Sequence, residues 1–387
     1  MTSAWQRALD PSSIGEQRFA CGQVLPRAAP STLEEWTALL EAVATDRLRC
    51  LPLGAGSSQR WRTPRAFESF DLVLSTARWT GVVAYEPGDG TLTARTGSTM
   101  ASLADATREG GHRLTPDVAR PAEATLGGVL GDGRSGLDRL RFGPVRHNVL
   151  GVRALHANAT VARSGGNLVK NVTGYDLHRL YTGSRGSLCV LLEASLRLAP
   201  EPDVRAAGVR RCAHRDEALE AGRSVLDLAL QPDAVVVEGE ELTVFLSGRR
   251  DVVAWQEELL RRELSLEPVA DAARCWIRMR DGADAPALHF GCRPSRLAAT
   301  LEETTAKLAS TGLAFTVQVH PCVATFTLTL EEGLDLIELE DRLRPSGLRI
   351  GPQRGPAAPA RDALERRLIE ALDPTGLFAA GGAERHG

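Results

Sequence analysis

The sequence predicts an α+β protein with a glycine-rich region of short strands and helices, followed by a region of alternating strands and helices. Three observations support this class. The chain has 387 residues, more than one average domain. Twelve of its 37 glycines fall within residues 121–190, in short turns between apolar runs. Pro200-Glu201-Pro202 then marks a boundary, beyond which the pattern changes.

Composition narrows the class of protein. With 43% hydrophobic and 25% charged residues, the chain has the composition of an ordinary globular protein. Its net charge of −3 does not indicate nucleic-acid binding. The seven cysteines form no C-x-x-C pair, which argues against an iron–sulfur ligand set and a disulfide framework. Because no apolar run reaches about 18 residues, we expect a soluble, cytoplasmic protein, with any membrane association made through partners.

The first ordered unit is expected to begin near Val24. Ser31 with Glu34 three residues later forms a capping box, which predicts a helix through Val43. The apolar residues 49–53 and 72–75 predict two short buried strands. The first of these strands runs directly into a glycine- and serine-rich loop.

A hairpin is predicted next, with strands at 82–85 and 91–94 around the turn Pro87-Gly88-Asp89-Gly90. Ser98 is expected to cap a helix that ends at Gly110-Gly111. The glycine-rich block follows and closes with a strand at 187–196.

The C-terminal region is predicted to alternate strands and helices. The expected strands are 242–246, 275–279, 287–292, 315–319 and 324–330, with helices at 252–264 and 297–309. A linker at 351–359, rich in Pro, Gly and Arg, leads to a final helix at 362–372. No internal repeat is visible in the sequence.

The loop that follows the first predicted strand reads Gly-Ala-Gly-Ser-Ser at residues 54–58. Such a turn presents consecutive backbone N–H groups and two hydroxyls, which suits a diphosphate. Taken alone, a glycine turn after a strand is more often only a turn. It lacks the Gly-Lys-Ser/Thr ending of a Walker loop and the G-x-G-x-x-G spacing of a Rossmann loop.

Three further motifs follow in order: Ala-Thr-Leu-Gly-Gly at 124–128, Lys-Asn-Val-Thr-Gly-Tyr-Asp at 170–176, and Gly-Ser-Arg-Gly-Ser-Leu at 183–188. This order resembles the FAD-binding domain of the vanillyl-alcohol oxidase family (PCMH-type). Within it, the chain is most similar to the accessory FAD-binding subunits of bacterial glycolate oxidase complexes. The resemblance covers residues 24–200 and is most specific at 170–176.

The resemblance implies a two-lobed PCMH-type FAD-binding domain followed by a smaller mixed α/β cap domain. The expected division is an N-terminal segment at 1–23, the FAD-binding domain at 24–200 with lobes at about 24–80 and 81–200, the cap at 203–350, and a linker, helix and tail at 351–387. No histidine stands where some relatives attach flavin covalently, so the FAD is expected to be non-covalent.

The resemblance also assigns cofactor contacts. The pyrophosphate would be held by Gly54, Ala55, Gly56, Ser57 and Ser58. The approach to the flavin would include Pro116 and Asp117, and the ring and ribityl region would be lined by Thr125, Gly127 and Gly128. The segment along the cofactor would contain Gly166, Lys170, Gly174, Tyr175 and Asp176. A tight turn would be formed by Gly183, Ser184 and Gly186, and Val190 would face the adenine side.

Two interpretations stay open for part of this set. Tyr175, Asp176 and several glycines could shape the fold without touching FAD, and Lys170 allows either reading. The local cluster of Arg139, Arg141 and Arg146 could offset the charge of the dinucleotide or form a solvated loop.

Oxidation of a 2-hydroxy acid on a flavin needs a base for the hydroxyl proton and cations for the carboxylate. The His-rich motif of the family's catalytic relatives is missing, and His289 and His320 each read as a lone core or edge residue. Arg278, Arg280 and Arg293 could bind a carboxylate, but alternating arginines on a strand usually mark its solvent face. The sequence therefore assigns neither a catalytic residue nor a metal ligand. The C-terminal Asp-Pro-Thr-Gly at 373–376 matches the family, but the Asn-Pro that usually follows is absent.

Three functions are compatible with these features. The first is the FAD-binding subunit of a glycolate oxidase or 2-hydroxy-acid dehydrogenase complex, relaying electrons beside a catalytic flavoprotein subunit and an iron–sulfur subunit. The second is a self-sufficient FAD-dependent dehydrogenase of the D-lactate type. The third is a structural subunit without flavin. The glycine loops argue against the third, and the missing His motif argues against the second.

Overall fold

The computed structural model describes residues 3–59, 67–166, 175–282, 287–330, 339, 343, 349–350 and 363–378. The predicted linker at 351–359 lies outside these residues, as do Lys170 and Gly174. Three principal sheets follow one another along the chain.

The first sheet has four strands in the order β1-β2-β4-β3. Its elements are α1 (Ala4–Arg7), β1 (Ile14–Arg18), β2 (Val24–Ala28), α2 (Leu33–Thr45), β3 (Cys50–Leu53) and β4 (Leu72–Ser75). β4 pairs in parallel with both β2 and β3, whereas β1 is antiparallel to β2. β3 and β4 are almost wholly apolar and largely buried, as expected for the parallel part of a sheet covered on both faces.

The capping box of α2 lies one residue later than predicted. Thr32, rather than Ser31, is the N-cap, and its hydroxyl accepts a hydrogen bond from the N–H of Glu35 at 3.2 Å. The Glu35 carboxylate accepts in return from the N–H of Thr32 at 3.4 Å and of Ser31 at 2.6 Å. Glu34 takes no part, because only the side chain at the third helical position reaches back to the cap.

The second sheet is antiparallel, in the order β5-β6-β10-β8-β9, and β7 pairs separately with β11. The elements are β5 (Val82–Glu86), β6 (Thr91–Arg95), α3 (Met100–Arg108), β7 (His112–Arg113), α4 (Leu126–Asp132), α5 (Arg139–Phe142), β8 (Val149–Leu155), β9 (Val161–Gly165), α6 (Leu177–Tyr181), β10 (Val190–Arg197) and β11 (Ala199–Pro200). The predicted hairpin is confirmed as β5 and β6. The cap of α3 is Thr99 rather than Ser98, because the Ser98 hydroxyl accepts instead from the N–H of Gly81 at 2.9 Å.

The first two sheets share a hydrophobic core. Val190 and Leu192 of β10 pack in one cluster with Trp36 and Leu39 of α2. The indole of Trp79 donates to the carbonyl oxygen of Leu192 at 2.8 Å. The chain end joins the same core, since Leu377 and Phe378 are buried there and the Leu377 carbonyl accepts from the N–H of Cys50 at 2.7 Å.

The third sheet has eight strands in the order β15-β12-β14-β13-β17-β18-β16-β19. Its elements are β12 (Val204–Arg211), α7 (Arg215–Ser224), β13 (Ala234–Glu238), β14 (Glu241–Gly248), α8 (Arg250–Leu264), β15 (Glu267–Pro268), α9 (Ala272–Asp281), β16 (Ala287–Gly291), α10 (Leu297–Ala309), β17 (Phe315–His320), β18 (Thr325–Leu330) and β19 (Arg349–Ile350). We call it the cap sheet. The last helix, α11 (Ala363–Leu372), returns to the second sheet, where Ile369 and Leu372 pack against its core.

The cap sheet contains a structural repeat that the sequence does not reveal. The strands β12, β13, β14 and β15 of the first half correspond in order to β16, β17, β18 and β19 of the second, in mirrored positions across the sheet. The two halves meet where β13 pairs with β17, with Val237 opposite Val319. Strand pairing preserves this arrangement without similar residues, so a search for repeated sequence does not find it.

The predicted strand at 275–279 is wrong, because these residues belong to α9. Asp271 caps this helix by accepting from the N–H of Arg274 at 2.9 Å. The alternation of Ile277 and Met279 with arginines suggested a period of two. The buried positions are Trp276 and Met279, three residues apart, whereas Ile277 is 48% exposed.

Candidate functional site

An open cleft lies between the first two sheets. It is bounded by the loop after β3, the start of α4, the turn at 183–186 and the first residues of β10. The sequence motifs at 54–58, 124–128 and 183–188 are therefore brought together around one cavity.

The loop at 54–58 presents unpaired backbone donors to this cleft. Among the described residues, none of the N–H groups of Gly54, Ala55, Gly56, Ser57 and Ser58 has a protein acceptor. Gly56 adopts a positive φ of +78°, which favours glycine there. A run of free N–H groups at a turn is the arrangement that binds a phosphate group.

The start of α4 forms a wall of the cleft rather than a set of donors. The N–H groups of Leu126 and Gly127 donate to the carbonyls of Ser98 at 2.9 Å and Thr96 at 2.8 Å. The N–H of Gly128 donates to the hydroxyl of Thr125 at 3.3 Å. Since these amides are satisfied by protein, the glycines here serve close packing.

Gly54 and Thr125 join the two sides of the cleft. A Cβ atom on Gly54 would overlap the Thr125 hydroxyl and lie 3.2 Å from its Cβ atom. The loop after β3 can approach α4 this closely only without a side chain at position 54.

The turn at 183–186 is fixed from both sides. The N–H of Gly183 donates to the Leu130 carbonyl at 2.8 Å, and that of Arg185 to the Gly131 carbonyl at 2.9 Å. Gly186 packs on Pro52 of β3, where a Cβ atom would lie 3.1 Å from the proline ring. Ser184, Gly186 and the buried Val190 line the cleft.

Other predicted residues lie elsewhere. The Asp117 carboxylate accepts from the indole of Trp276 and pairs with Arg280 at 2.9 Å, which ties it to α9 of the cap sheet. Tyr175 is 90% exposed, and Asp176 pairs with Arg179 at 3.2 Å. The lining of the cleft does not include Pro116, Asp117, Gly166, Tyr175 or Asp176.

The arginines of α9 do not form the solvent face of a strand. Arg280 is a partly buried link from the cap sheet to Asp117, with 14% of its side chain exposed. Arg278 reaches β13, where it donates to Glu238 at 3.0 Å. Both contacts depend on the helical conformation of these residues. The strand predicted for them would not have indicated either contact.

One face of the cap sheet carries a row of polar side chains that includes both histidines. His289 of β16 and Gln318 of β17 lie opposite Thr327 on the two sides of β18, and His320 lies opposite Thr325. The ring Nδ1 of His289 lies 2.7 Å from the Thr327 hydroxyl. The sequence placed the histidines on separate strands. Their proximity depends on strand pairing, which local patterns do not specify.

Burial and nearby arginines keep both histidines neutral. Burial, followed by the charges of Arg134, His320 and Arg139, lowers the pKa of His289 to about 4. Burial and then the charge of Arg139 lower the pKa of His320 to about 4. Arg134, one of the charges that act on His289, lines the cleft and pairs with Asp132 at 3.3 Å.

The predicted basic cluster divides in the structure. Arg141 donates to Asp233 at 2.7 Å and to the Ser247 carbonyl at 2.7 Å, joining α5 to the cap sheet. The Arg139 side chain has no ion pair or hydrogen bond within the part of the chain that the structure describes, and burial followed by the charge of Arg146 lowers its pKa. Its charge also acts on both histidines, so this arginine is suited to binding an anion.

Neither a metal cluster nor a membrane span is found in the described ranges. No group of three or more His, Cys, Asp or Glu side chains is placed to hold a metal ion there. In the same ranges, no helix has the length and apolar character needed to cross a bilayer.

Comparison with known proteins identifies the cofactor. Residues 26–165 match the family described as FAD binding domain. The chain is 36% identical over 205 residues to glycolate oxidase subunit GlcE from Escherichia coli, covering 52% of this chain and 56% of that protein. It is 30% identical over 185 residues to glycolate oxidase subunit GlcD from Bacillus subtilis, covering 47% of this chain and 39% of that protein. The chain thus spans about half or less of the length of these relatives.

A solved structure shows the same fold across nearly the whole chain. The structure of p-cresol methylhydroxylase with substrate bound matches with a TM-score of 0.78 at 14% identity, covering 97% of this chain and 96% of that chain. The predicted PCMH-type fold and the FAD cofactor are confirmed. The chain carries an FAD-binding domain of the kind found in FAD-dependent oxidoreductases.

Proposed function

We propose that this chain is the FAD-binding subunit of a 2-hydroxy-acid dehydrogenase complex of the glycolate oxidase type. In this proposal it oxidises a small 2-hydroxy acid such as glycolate and passes the electrons to partner subunits, one of which carries iron–sulfur clusters. The observation that carries the proposal is the cleft that brings together the loop at 54–58, the start of α4 and the turn at 183–186, in a chain whose relatives include glycolate oxidase subunits.

The cleft fits a non-covalently bound dinucleotide. The free N–H groups at 54–58 would hold the pyrophosphate, and Gly54, Gly127 and Gly186 allow the surrounding backbone to approach closely. Bound FAD would accept a hydride from the substrate. We assign Lys170 and Gly174, which lie outside the described residues, to the segment along the cofactor.

The face of the cap sheet supplies what a 2-hydroxy acid requires. Arg139, whose side chain has no protein carboxylate among the described residues, would bind the substrate carboxylate. A neutral histidine would accept the hydroxyl proton, since an imidazole with a lowered pKa is unprotonated near neutral pH.

The second candidate is an accessory role, in which the flavin relays electrons or stabilises the complex while another subunit oxidises the substrate. The absence of the His-rich motif of the catalytic relatives favours this candidate. A self-sufficient dehydrogenase of the D-lactate type is the further alternative, and the neutral histidines beside Arg139 support it.

Reductive titration of the purified chain distinguishes these candidates. Glycolate or D-lactate is added anaerobically to the FAD-loaded chain while its visible flavin absorbance is followed. Our proposal predicts bleaching by substrate alone, with steady turnover on a natural acceptor only after the partner subunits are added. Flavin that stays oxidised until the partners are present would identify the accessory role. Full turnover without partners would identify the self-sufficient enzyme.

A further inference from the structure

The face of the cap sheet contains a hydrogen-bonded chain from Glu238 through Gln318 to His320. The Gln318 amide nitrogen lies 2.9 Å from a Glu238 carboxylate oxygen and 3.2 Å from the Met279 carbonyl oxygen. The Gln318 carbonyl oxygen lies 3.2 Å from His320 Nε2. These contacts connect β13, β17 and α9 at one point.

These hydrogen bonds determine which nitrogen of His320 carries the proton. The Glu238 carboxylate and the Met279 carbonyl can only accept hydrogen bonds, so the NH₂ group of Gln318 must face them. The Gln318 oxygen is then left facing His320 and can only accept. His320 must therefore donate from Nε2, and in its neutral form the lone pair lies on Nδ1.

The Nδ1 atom of His320 is available for a proton. Among the described residues no hydrogen bond to His320 Nδ1 is found, although the ring is partly buried. His289 differs, because its Nδ1 contacts the Thr327 hydroxyl, which can donate or accept.

We propose that His320 is the base that accepts the hydroxyl proton of the 2-hydroxy acid, at Nδ1, and that Gln318 and Glu238 are positioning residues that hold its ring in the required tautomer. This inference rests on the proposed function. A base oriented by a second polar group, itself held by a third, is the arrangement of many enzymes that move a proton.

The reaction balances with groups already named. The O–H bond of the substrate breaks, and its proton forms a new N–H bond at His320 Nδ1. The C2–H bond breaks with both electrons while a C2=O bond forms, and bound FAD would supply the acceptor for the hydride. The substrate would lose two electrons, and the flavin would take up the same two.

The surrounding charges couple the base to substrate binding. After burial, the charge of Arg139 lowers the pKa of His320, and the charges of Arg134 and Arg139 act on His289. The negative charge of Glu238 is shared with Arg278 at 3.0 Å. A substrate carboxylate bound to Arg139 would offset its charge and raise the pKa of His320, making the ring a stronger base only when substrate is present.

The first test reads the tautomer directly. Nitrogen NMR of the imidazole rings in the FAD-loaded protein should show His320 as the Nε2–H tautomer. Addition of 2-hydroxy-2-methylpropanoate, which has no C2 hydrogen and cannot be oxidised, should raise the pKa of His320. The variant Gln318→Met should lose the tautomer preference, whereas Thr316→Val, on the same strand and face, should keep it. An Nδ1–H tautomer in the unaltered protein would overturn the inference.

The second test reads the chemistry. His320→Gln should slow flavin reduction by glycolate about 100-fold or more, with the affinity for FAD unchanged. Gln318→Met should slow it less, and His112→Gln, which removes a histidine bonded to Tyr85 outside the cap sheet, should leave the rate unchanged. If flavin in His320→Gln is reduced at the normal rate, His320 is not the base, and only this inference is overturned. Failure of the unaltered protein to be reduced by any 2-hydroxy acid would overturn the proposed function as well.

Discussion

Arg141 Nη1 lies 2.7 Å from Asp233 Oδ1 in an ion pair that joins α5 of the FAD-binding domain to the cap sheet. Arg113 approaches the same carboxylate at 3.6 Å, and the Asp233 side chain is only 5% exposed. Arg139 lies two residues before Arg141 on the same short helix, and its charge acts on His289 and His320. The ion pair therefore positions Arg139 against the histidines.

Substitution Asp233→Asn should destabilise the protein. Removing the charge leaves two arginines facing a buried neutral group, and loss of one partner of a buried pair typically costs about 3 kcal/mol. Urea denaturation measures the change in the free energy of unfolding. Asp203→Asn, an exposed position outside this ion pair, is the control and should have little effect. Equal stability of the two variants would show that the ion pair does not hold the sheets together.

Substitution Gly54→Ala should weaken FAD binding at least tenfold. The added methyl group would overlap the Thr125 hydroxyl and push the loop at 54–58 away from α4, which separates the donors from the rest of the cleft. Fluorescence titration with FAD measures the affinity. Gly88→Ala, in the turn between β5 and β6, adds a methyl group with no atom within 4 Å and should bind FAD normally. Normal binding by Gly54→Ala would contradict the placement of the pyrophosphate.

The two cap-sheet histidines should make stability fall in acid. The pKa of His289 is lowered from 6.5 to about 4 in the folded protein, so the unfolded chain takes up its proton first as the pH falls. Stability should therefore decrease from about pH 6.5 down to about pH 4. His289→Gln should reduce this slope in urea denaturation measured across that range. An unchanged slope would mean that the ring is not held neutral.

Asp138 should have the opposite effect. Burial, followed by the charge of Asp117, raises its pKa from 3.8 to about 7, so the folded protein favours the neutral acid. Stability should fall as the pH rises from about 4 to about 7, because ionising this buried carboxyl is unfavourable. Asp138→Asn should remove this loss, giving a variant that gains stability relative to the original chain as the pH rises to 8. If Asp138→Asn shows no relative gain in stability, the ionised Asp138 carboxyl lies in a more favourable environment than its raised pKa implies.

Local elements could be predicted well where one pattern dominates. The helix Leu297–Ala309 and the strand Leu72–Ser75 have the predicted bounds, because their apolar periodicity matches a single conformation. At α9 the residues fit both periods, and the helix is stabilised by packing of Trp276 against Phe245 of the cap sheet. The sequence alone does not contain that contact.

The candidate site was likewise predictable only where it depends on local sequence. The glycine loops were predictable because backbone donors and close approach depend on local residue types. The face with His289, Gln318 and His320 depends on the order of β16, β18 and β17, strands that meet only after chain folding. Arg139 reaches this face through the docking of α5, which no local pattern indicates.

The most direct measurement is the visible absorption spectrum of the purified chain, before and after anaerobic addition of glycolate. Our account predicts a bound, releasable flavin whose absorbance is bleached by glycolate, and slower bleaching in His320→Gln. No flavin spectrum, even after incubation with FAD, would contradict the central claim that the cleft between the first two sheets holds a working FAD.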